Sequence, residues 1–579
     1  MTKPLAVSCG QYSDKGRKDL NQDSHGFSLP PEPALSLKGI AIGLADGISS
    51  SPVSQQASAM VVRSFLEDYY CTSEAWSVQK SGERVLTASN SWLYSETMRS
   101  DFRFDRDRGY VCTFSGLIIK ANTAHLFHVG DSRVYRLRNH ALEQLTNDHR
   151  MWESREKSYL SRAMGMTDKL EIDYRTLPVQ AGDVFVLATD GIYEFIDPQI
   201  LISSIATSDN LDHTAHAIAE AALVAGSDDN LTIQILRVDA LAEAANESVL
   251  RQVESLPLPP PLEARMLFDG YRIVRQIHAS PRSHVFLAID GKTGQQVAIK
   301  TPSTDQSSNP EYLERFMMEE WIARRLNSPH VLKPFALDRR RNFLYTTMEY
   351  VEGKTLSQWL VDNPRPELEN VRNIIEQVAR GLMAFHRMEM LYQDLKPDNI
   401  MIDNTGTVKI IDFGAVRVAG LMEMHPDDTG NQMLGTALYM APEYFLGEPG
   451  TVRSDLFSLA VLTYHMLTGQ YPYGTEVARH RSETAQRRLH YRPLIQSSKD
   501  EREIPAWIDF ALRKATQINP YKRHIEISEF LFELRQPARE FLTQSKPPLM
   551  QRNPVGFWQG VSLLQLLVIL WMLYERFGH

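Results

Sequence analysis

A chain of 579 residues is too long for one hydrophobic core and divides into roughly three to five units of ordinary domain size. Its hydrophobic content of 43% and charged content of 23% are those of an ordinary globular protein, and a net charge of -9 argues against a general nucleic-acid binder. The three cysteines, Cys9, Cys71 and Cys112, stand far apart without metal-ligand spacing, so they are expected to be packing residues in a reducing compartment.

The first residues, "MTKPLAVSCGQYSDKG", lack the apolar core of an export signal. Up to about residue 238, short apolar runs such as "GIAIGLADG", "TAHLFHVGDS" and "DVFVLATDG" alternate with helical stretches, which predicts a mixed α and β domain. Four segments carry aspartate where an apolar run stops: "NQDS" with Asp23, "LADG" with Asp46, "ATDG" with Asp190 and "SDDN" with Asp229. Taken singly, each is a turn or a helix cap. Taken together at the ends of strands, they offer the oxygen ligands that Mg²⁺ or Mn²⁺ prefer.

These residues, with "HVGDSRVYRLRNHALEQLTNDH" between them, resemble the metal-dependent PPM-type (type 2C) protein serine/threonine phosphatases over nearly all of residues 1–238. The resemblance implies an αββα sandwich in which Asp46 bridges two Mn²⁺ or Mg²⁺ ions. The Gly47 carbonyl, Asp23, Asp190 and Asp229 would complete the pair, and Asp131 would help hold a weaker third ion. Such ions acidify a water and neutralise charge on the phosphoryl group, so no covalent phosphoenzyme is needed. Two departures stand out: Lys18 sits where the family keeps a phosphate-binding arginine, with Arg17 one place off, and Gln22 replaces a common glutamate. Lysine supplies charge without the bidentate fork, so Arg17 and Lys18 together are the candidate phosphate contacts.

"AEAANESVLRQVESLPLPPPLEARMLFDG" follows, a helix-like stretch that runs into a proline cluster, read as a linker over 241–268. From Tyr271, "YRIVRQI", "HVFLAID", "QVAIK" and "FLYTTMEYV" predict strands, and the chain turns mostly helical after "LSQWL". Within that frame "VAIK", "YQDLKPDNIMI", "IIDFGAV" and "GTALYMAPE" occur in order, and the set resembles the eukaryotic-type protein serine/threonine kinases over about 270–540.

The kinase resemblance implies a bilobal fold, with Lys300 on ATP phosphates, Glu319 as its helical partner, Asp394 as catalytic base and Lys396 as phosphate-side cation. Asn399 and Asp412 would hold Mg²⁺, and Ile277, Val285, Ala298, Met348 and Glu349 would line the nucleotide pocket and hinge. It also implies a Glu443–Arg523 salt bridge and an Asp455 that organises the catalytic-loop backbone. Again the chain departs from the pattern. Gln393 stands where an arginine would clamp a phosphorylated activation loop, which argues against that mode of control. His278, Ser280 and Ser283 occupy the three glycine positions of the phosphate loop, with Pro281 and Arg282 at its tip. Loss of glycine weakens backbone approach to phosphates without removing the metal and proton-transfer groups. Two readings follow: an active kinase, or a nucleotide-sensing or scaffolding pseudokinase beside an active phosphatase. The threonines of "DDTGNQMLGTALY" are candidate phosphorylation sites, although Thr436 is expected to support the catalytic loop.

Finally, "FWQGVSLLQLLVILWMLY" is uncharged and would extend ~27 Å as a helix at 1.5 Å per residue, which predicts a single transmembrane helix. The expected layout is a phosphatase domain over 1–240, the linker, a kinase-like domain over 269–542, a juxtamembrane segment over 543–556 and the span over 557–574. Lys546 and Arg552 before the span place both domains on the cytoplasmic side of a bacterial inner membrane. The expected partners are phosphoproteins and protein substrates, this chain itself through self-phosphorylation and self-dephosphorylation, and the membrane.

Overall fold

A computed structural model of the protein describes residues 5–152, 158–206, 208–241, 256–303, 309–335, 341–423, 437–494, 504–544 and 554–577. The first unit is two antiparallel five-stranded sheets laid face to face. One runs in the order Ala6–Asp14, Leu231–Ala240, Val184–Ala188, Arg133–Arg138, Ala141–Gln144. The other runs Asp173–Pro178, Thr123–Val129, Phe114–Lys120, Ile40–Ala45, Ser24–Ser28. Period-two alternation sorts each strand between two faces. Ile40, Ile42 and Leu44 meet Phe185, Leu187 and Leu236 between the sheets, while Ala41 and Ala45 face Phe65 and Phe114 beneath the helices Ser54–Cys71 and Val78–Arg99. A third apolar layer packs the helix Leu211–Val224 on the other sheet. The αββα sandwich predicted from the sequence is thus observed, and the strand ends that carry aspartate follow from its topology.

The second unit opens with a five-stranded antiparallel sheet, Leu267–Phe268, Tyr271–Ala279, Ser283–Asp290, Gln296–Pro302 and Thr346–Glu349. Its first strand lies inside the expected linker, and Pro257 accepts a hydrogen bond from the Leu344 amide at 2.9 Å, so the proline-rich half of the linker belongs to this lobe. The helix-like stretch before it, 242–255, lies outside the described residues. The larger lobe is helical. Leu368–Arg387 buries Val371, Ile375, Val378, Leu382 and Phe385 at helical spacing, and Val452–Thr468 is buried along nearly its whole length. Thr451 and Ser454 form a capping box at the start of that helix, and Gly469 (φ 69°) closes it. The predicted strand "FLYTTMEYV" shortens to Thr346–Glu349.

One expectation is corrected here, and another finds no support. The cysteines are free as expected, but Cys71 is exposed and is no packing residue. Residues 557–574 are helical within Pro554–Phe577, yet among the described residues no helix is long and apolar enough to cross a membrane. Of the apolar side chains of Pro554–Phe577, Leu563, Leu566, Leu567 and Ile569 are exposed.

Candidate active sites

The carboxylates of the first unit converge from five strand ends. Asp23 precedes Ser24–Ser28, Asp46 follows Ile40–Ala45, Asp131 lies just beyond Thr123–Val129, Asp190 follows Val184–Ala188 and Asp229 precedes Leu231–Ala240. Asp23 is buried; its Oδ2 accepts from Thr232 (2.6 Å) and Thr189 (3.1 Å), while its Oδ1 has no hydrogen-bond partner. Burial and the charges of Asp23, Asp190, Asp131 and Asp229 push Asp46 well above the usual carboxylate range. Burial pushes Asp23 up to about 6, against the hydrogen bonds from its threonines. Burial and the neighbouring Asp131 and Asp229 push Asp190 up to about 7.

Among the described residues no three His, Cys, Asp or Glu side chains are drawn around a single point. Two protein cations separate them instead. Arg150 donates to Asp131 (2.5 Å), Asp190 (2.9 Å) and Glu194 (2.9 Å), and Lys18 lies 3.2 Å from Asp229. An all-oxygen set of mutually repelling carboxylates, one with an unpartnered buried oxygen, fits a hard divalent cation. Gly47 is enforced by close approach: a Cβ there would lie 2.7 Å from the Gln22 carbonyl oxygen and 2.9 Å from Ser54.

The two candidate phosphate contacts part company. Lys18 faces Asp229 and donates to Ser49 at 3.2 Å, whereas Arg17 donates to the Leu223 carbonyl and is not brought to the carboxylates. The replacement of glutamate by Gln22 also acquires a reason, because its amide donates to the Ser51 carbonyl (2.8 Å) and to Ser54 Oγ (2.6 Å). An ionised carboxylate has no proton to give them.

In the second unit Lys300 lies 2.5 Å from Glu319 and 3.5 Å from Asp412. Burial pulls the Lys300 ammonium down, but Asp412 and Glu319 outweigh it and hold the group protonated. Lys300 in turn holds Asp412 below the usual carboxylate range. Asp394 Oδ2 accepts from Lys396 (2.7 Å) and Asn399 (3.0 Å), and the Ile411 amide donates to the Asn399 carbonyl at 3.0 Å, which ties the catalytic loop to the strand leading into Asp412. Asp455 accepts from the Tyr392 and Gln393 amides, both at 2.9 Å, with Gln393 at φ 69°. Arg523 grips Glu443 with two 2.7 Å bonds in the buried interior.

Val285 is opposite Lys300 and Ala298 opposite Met348 in the sheet, with Ile277 on the neighbouring strand. The Glu349 carboxylate is committed to Lys409 (2.8 Å) and to the Lys333 amide (2.9 Å), and its backbone amide donates to the Lys333 carbonyl at 3.0 Å. The glycine-free loop closes on itself: Ser280 Oγ accepts from the Arg282 and Ser283 amides, and the Arg282 carbonyl accepts from Ser303 N and Tyr312 Oη.

The Protein phosphatase 2C family model matches residues 11–226 and the Protein kinase domain family model matches residues 271–534. The chain joins a protein phosphatase 2C domain to a protein kinase domain. The kinase domain is 29% identical over 264 residues to the serine/threonine-protein kinase PrkC of Bacillus subtilis, across 45% of this chain and 40% of that protein. It is 33% identical over 217 residues to PknA of Mycobacterium tuberculosis, across 37% of this chain and 50% of that protein. The chain therefore spans about half or less of the length of these curated relatives. The phosphatase domain is similar to the solved structure of the Mycobacterium tuberculosis serine/threonine phosphatase PstP/Ppp, at 21% identity and a TM-score of 0.35, over 41% of this chain and 100% of that one.

Arg150 of the phosphatase domain and the Ser280 turn of the kinase domain escaped the sequence reading. Arg150 lies directly after "NDH" with no pattern to mark it, and Ser280 was read as a missing glycine when its hydroxyl is what builds the loop. Thr429 and Thr436, the threonines of the activation segment, lie outside the described residues.

Proposed function

We propose that this chain is a bifunctional regulator that removes phosphate from phosphoserine and phosphothreonine proteins with one domain and adds it to serine and threonine from ATP with the other. The observation that carries the reading is that both phosphoryl-transfer sites keep their polar groups in mutual reach. Asp23, Asp46, Asp131, Asp190 and Asp229 repel one another at one end of the sandwich. Lys300, Glu319 and Asp412 form one ionic cluster, and Asp394, Lys396 and Asn399 another.

In the phosphatase site the carboxylates would hold two Mn²⁺ or Mg²⁺ ions, with Asp131 serving a third, and these would supply an acidified water and charge neutralisation. Lys18 is placed to meet the substrate phosphate as a point charge. In the kinase site Asp394 accepts the proton of the incoming hydroxyl, with Lys396 2.7 Å away to steady its charge. Lys300 is the cation for the ATP phosphates, and Asn399 and Asp412 are the oxygen ligands for Mg²⁺. Glu319 fixes Lys300 in place.

The test uses purified chain with labelled ATP and a phosphopeptide under Mg²⁺ and Mn²⁺, beside Asp412→Ala and Asp46→Ala. Phosphate incorporation that survives Asp412→Ala removes the kinase assignment; phosphopeptide hydrolysis that survives Asp46→Ala removes the phosphatase one. A second reading, an active phosphatase with a nucleotide-sensing kinase fold, is favoured by the Ser280 turn, which consumes amides a phosphate would otherwise meet. Nucleotide binding without transfer in the same assay selects it.

The exposed apolar helix Pro554–Phe577 supports membrane attachment, with both domains on the cytoplasmic face of a bacterial inner membrane. Extraction of the cellular chain by alkaline carbonate, without detergent, would contradict that placement.

A further inference from the structure

The two domains are built into each other at a surface neither catalytic site uses. Ala75, from the turn before the phosphatase helix Val78–Arg99, is fully buried in the hydrophobic core of the kinase large lobe. The start of that helix grips two kinase carboxylates. Glu389 accepts from the Ser77 amide and hydroxyl, both at 2.7 Å, and Glu423 accepts from the Val78 amide at 3.0 Å. Trp76 and Lys80 donate to the Arg387 carbonyl. From the end of the phosphatase strand Phe114–Lys120, the buried Lys120 ammonium reaches Gly420 O (2.5 Å) and Glu423 (3.0 Å). The Gly420 amide donates to Ala75 O at 3.1 Å, and Arg325, in the last turn of the kinase helix Pro310–Arg325, pairs with Glu74.

The kinase residues held in this way are the roots of its active site. Glu389 (φ 55°) leads directly into Met390–Leu391 and the catalytic loop with Asp394. Gly420 and Glu423 lie in the first part of the segment that starts at Asp412, and Arg417–Val418 pairs with Met390–Leu391 to join that part to the catalytic loop. Arg325 closes the helix that carries Glu319. Gln393 stands where an arginine would clamp a phosphorylated segment, so that route to order is missing, and the phosphatase domain touches all three elements that need ordering.

We propose that the phosphatase domain is a built-in positioning partner of the kinase. Lys120, Ser77 and Glu74 hold the catalytic loop, the activation segment and the Glu319 helix in the arrangement that transfers phosphate, and phosphoryl transfer depends on that docking. This rests on the kinase reading above. It makes phosphatase and kinase conformationally linked, so that what loosens the contact silences the kinase while leaving the phosphatase site intact.

Gly420→Ala is the selective test, because alanine suits a helical position but its Cβ would lie 2.6 Å from Glu74 O and 2.7 Å from Trp76 O, both in the other domain. Glu423→Gln is the second variant, since Lys120→Met risks misfolding at a buried position. In full-length protein each is expected to lower phosphate incorporation from labelled ATP by about tenfold or more, within the usual range of inter-site coupling. Hydrolysis of p-nitrophenyl phosphate should be unchanged, and amide exchange at Ser77, Val78 and Gly420 should quicken. If the wild-type chain transfers phosphate and Gly420→Ala transfers it equally well or better, the inference falls alone. If the wild-type chain transfers none, the kinase reading falls and takes the inference with it.

Discussion

At Ser280 a single hydroxyl closes the glycine-free loop on itself. Its Oγ takes the Arg282 and Ser283 amides at 3.3 and 3.0 Å, so the loop satisfies its own donors. Glycine at 278, 280 and 283 frees those amides. At about 0.5–1.5 kcal/mol per recovered hydrogen bond, the Kd for ATP should fall roughly twofold to tenfold per bond. Isothermal titration that finds an unchanged Kd would give the loop another task. The phosphatase carboxylates make a prediction of opposite character. Asp23 and Asp190 rise from 3.8 to about 6 and about 7 in the folded protein, so the folded state binds more protons than the unfolded one across that interval. Stability without divalent cations therefore falls as pH rises from about 4 to 7, because the slope of unfolding free energy with pH is negative wherever the folded state holds the extra proton. Thermal melts in chelator should show that decline and Mn²⁺ should flatten it; a chelated melt that is level across the interval would argue against the clustering.

Among the elements, the buried pair between the Pro442–Leu446 turn and Arg523 shows what a motif can announce. Arg523→Ala leaves Glu443 as an uncompensated charge in the large-lobe interior, at a cost of about 3–5 kcal/mol. Urea unfolding should lose that stability in the kinase transition; a loss under 1 kcal/mol would mean that water or another cation replaces the arginine. This pair, the Asp455 grip on the catalytic loop and the aspartates at strand ends were legible in the sequence, because each lies in a short segment whose order along the chain resembles a known set. The strand in "GIAIGLADG" was legible as a short apolar run for a physical reason, since a sandwich strand buried on both faces is apolar along its whole length. The split between Lys18 and Arg17, the Arg150 bridge and the Ser280 turn were not legible. Each depends on which way a side chain points across a gap between elements distant in sequence. The membrane span read from residues 557–574 is not supported among the described residues.

For the whole molecule, the sequence showed two units and a linker but nothing of how they meet. Lys120 reads as a strand-terminal lysine beside a turn, and only the folded chain places its ammonium on Glu423. The two domains meet at one junction, through Ala75, Lys120 and Glu74 on one side and Glu389, Glu423 and Arg325 on the other. Covalent linkage also raises the effective concentration of each domain toward marks on the same molecule. The most direct measurement is the amount of phosphate carried by the purified full-length chain after incubation with labelled ATP and Mn²⁺, with Asp46→Ala compared with wild type. The account predicts that Asp46→Ala accumulates phosphate that wild type sheds, and that Asp412→Ala carries none. Equal phosphate on wild type and Asp46→Ala, with kinase activity measurable in both, would contradict it.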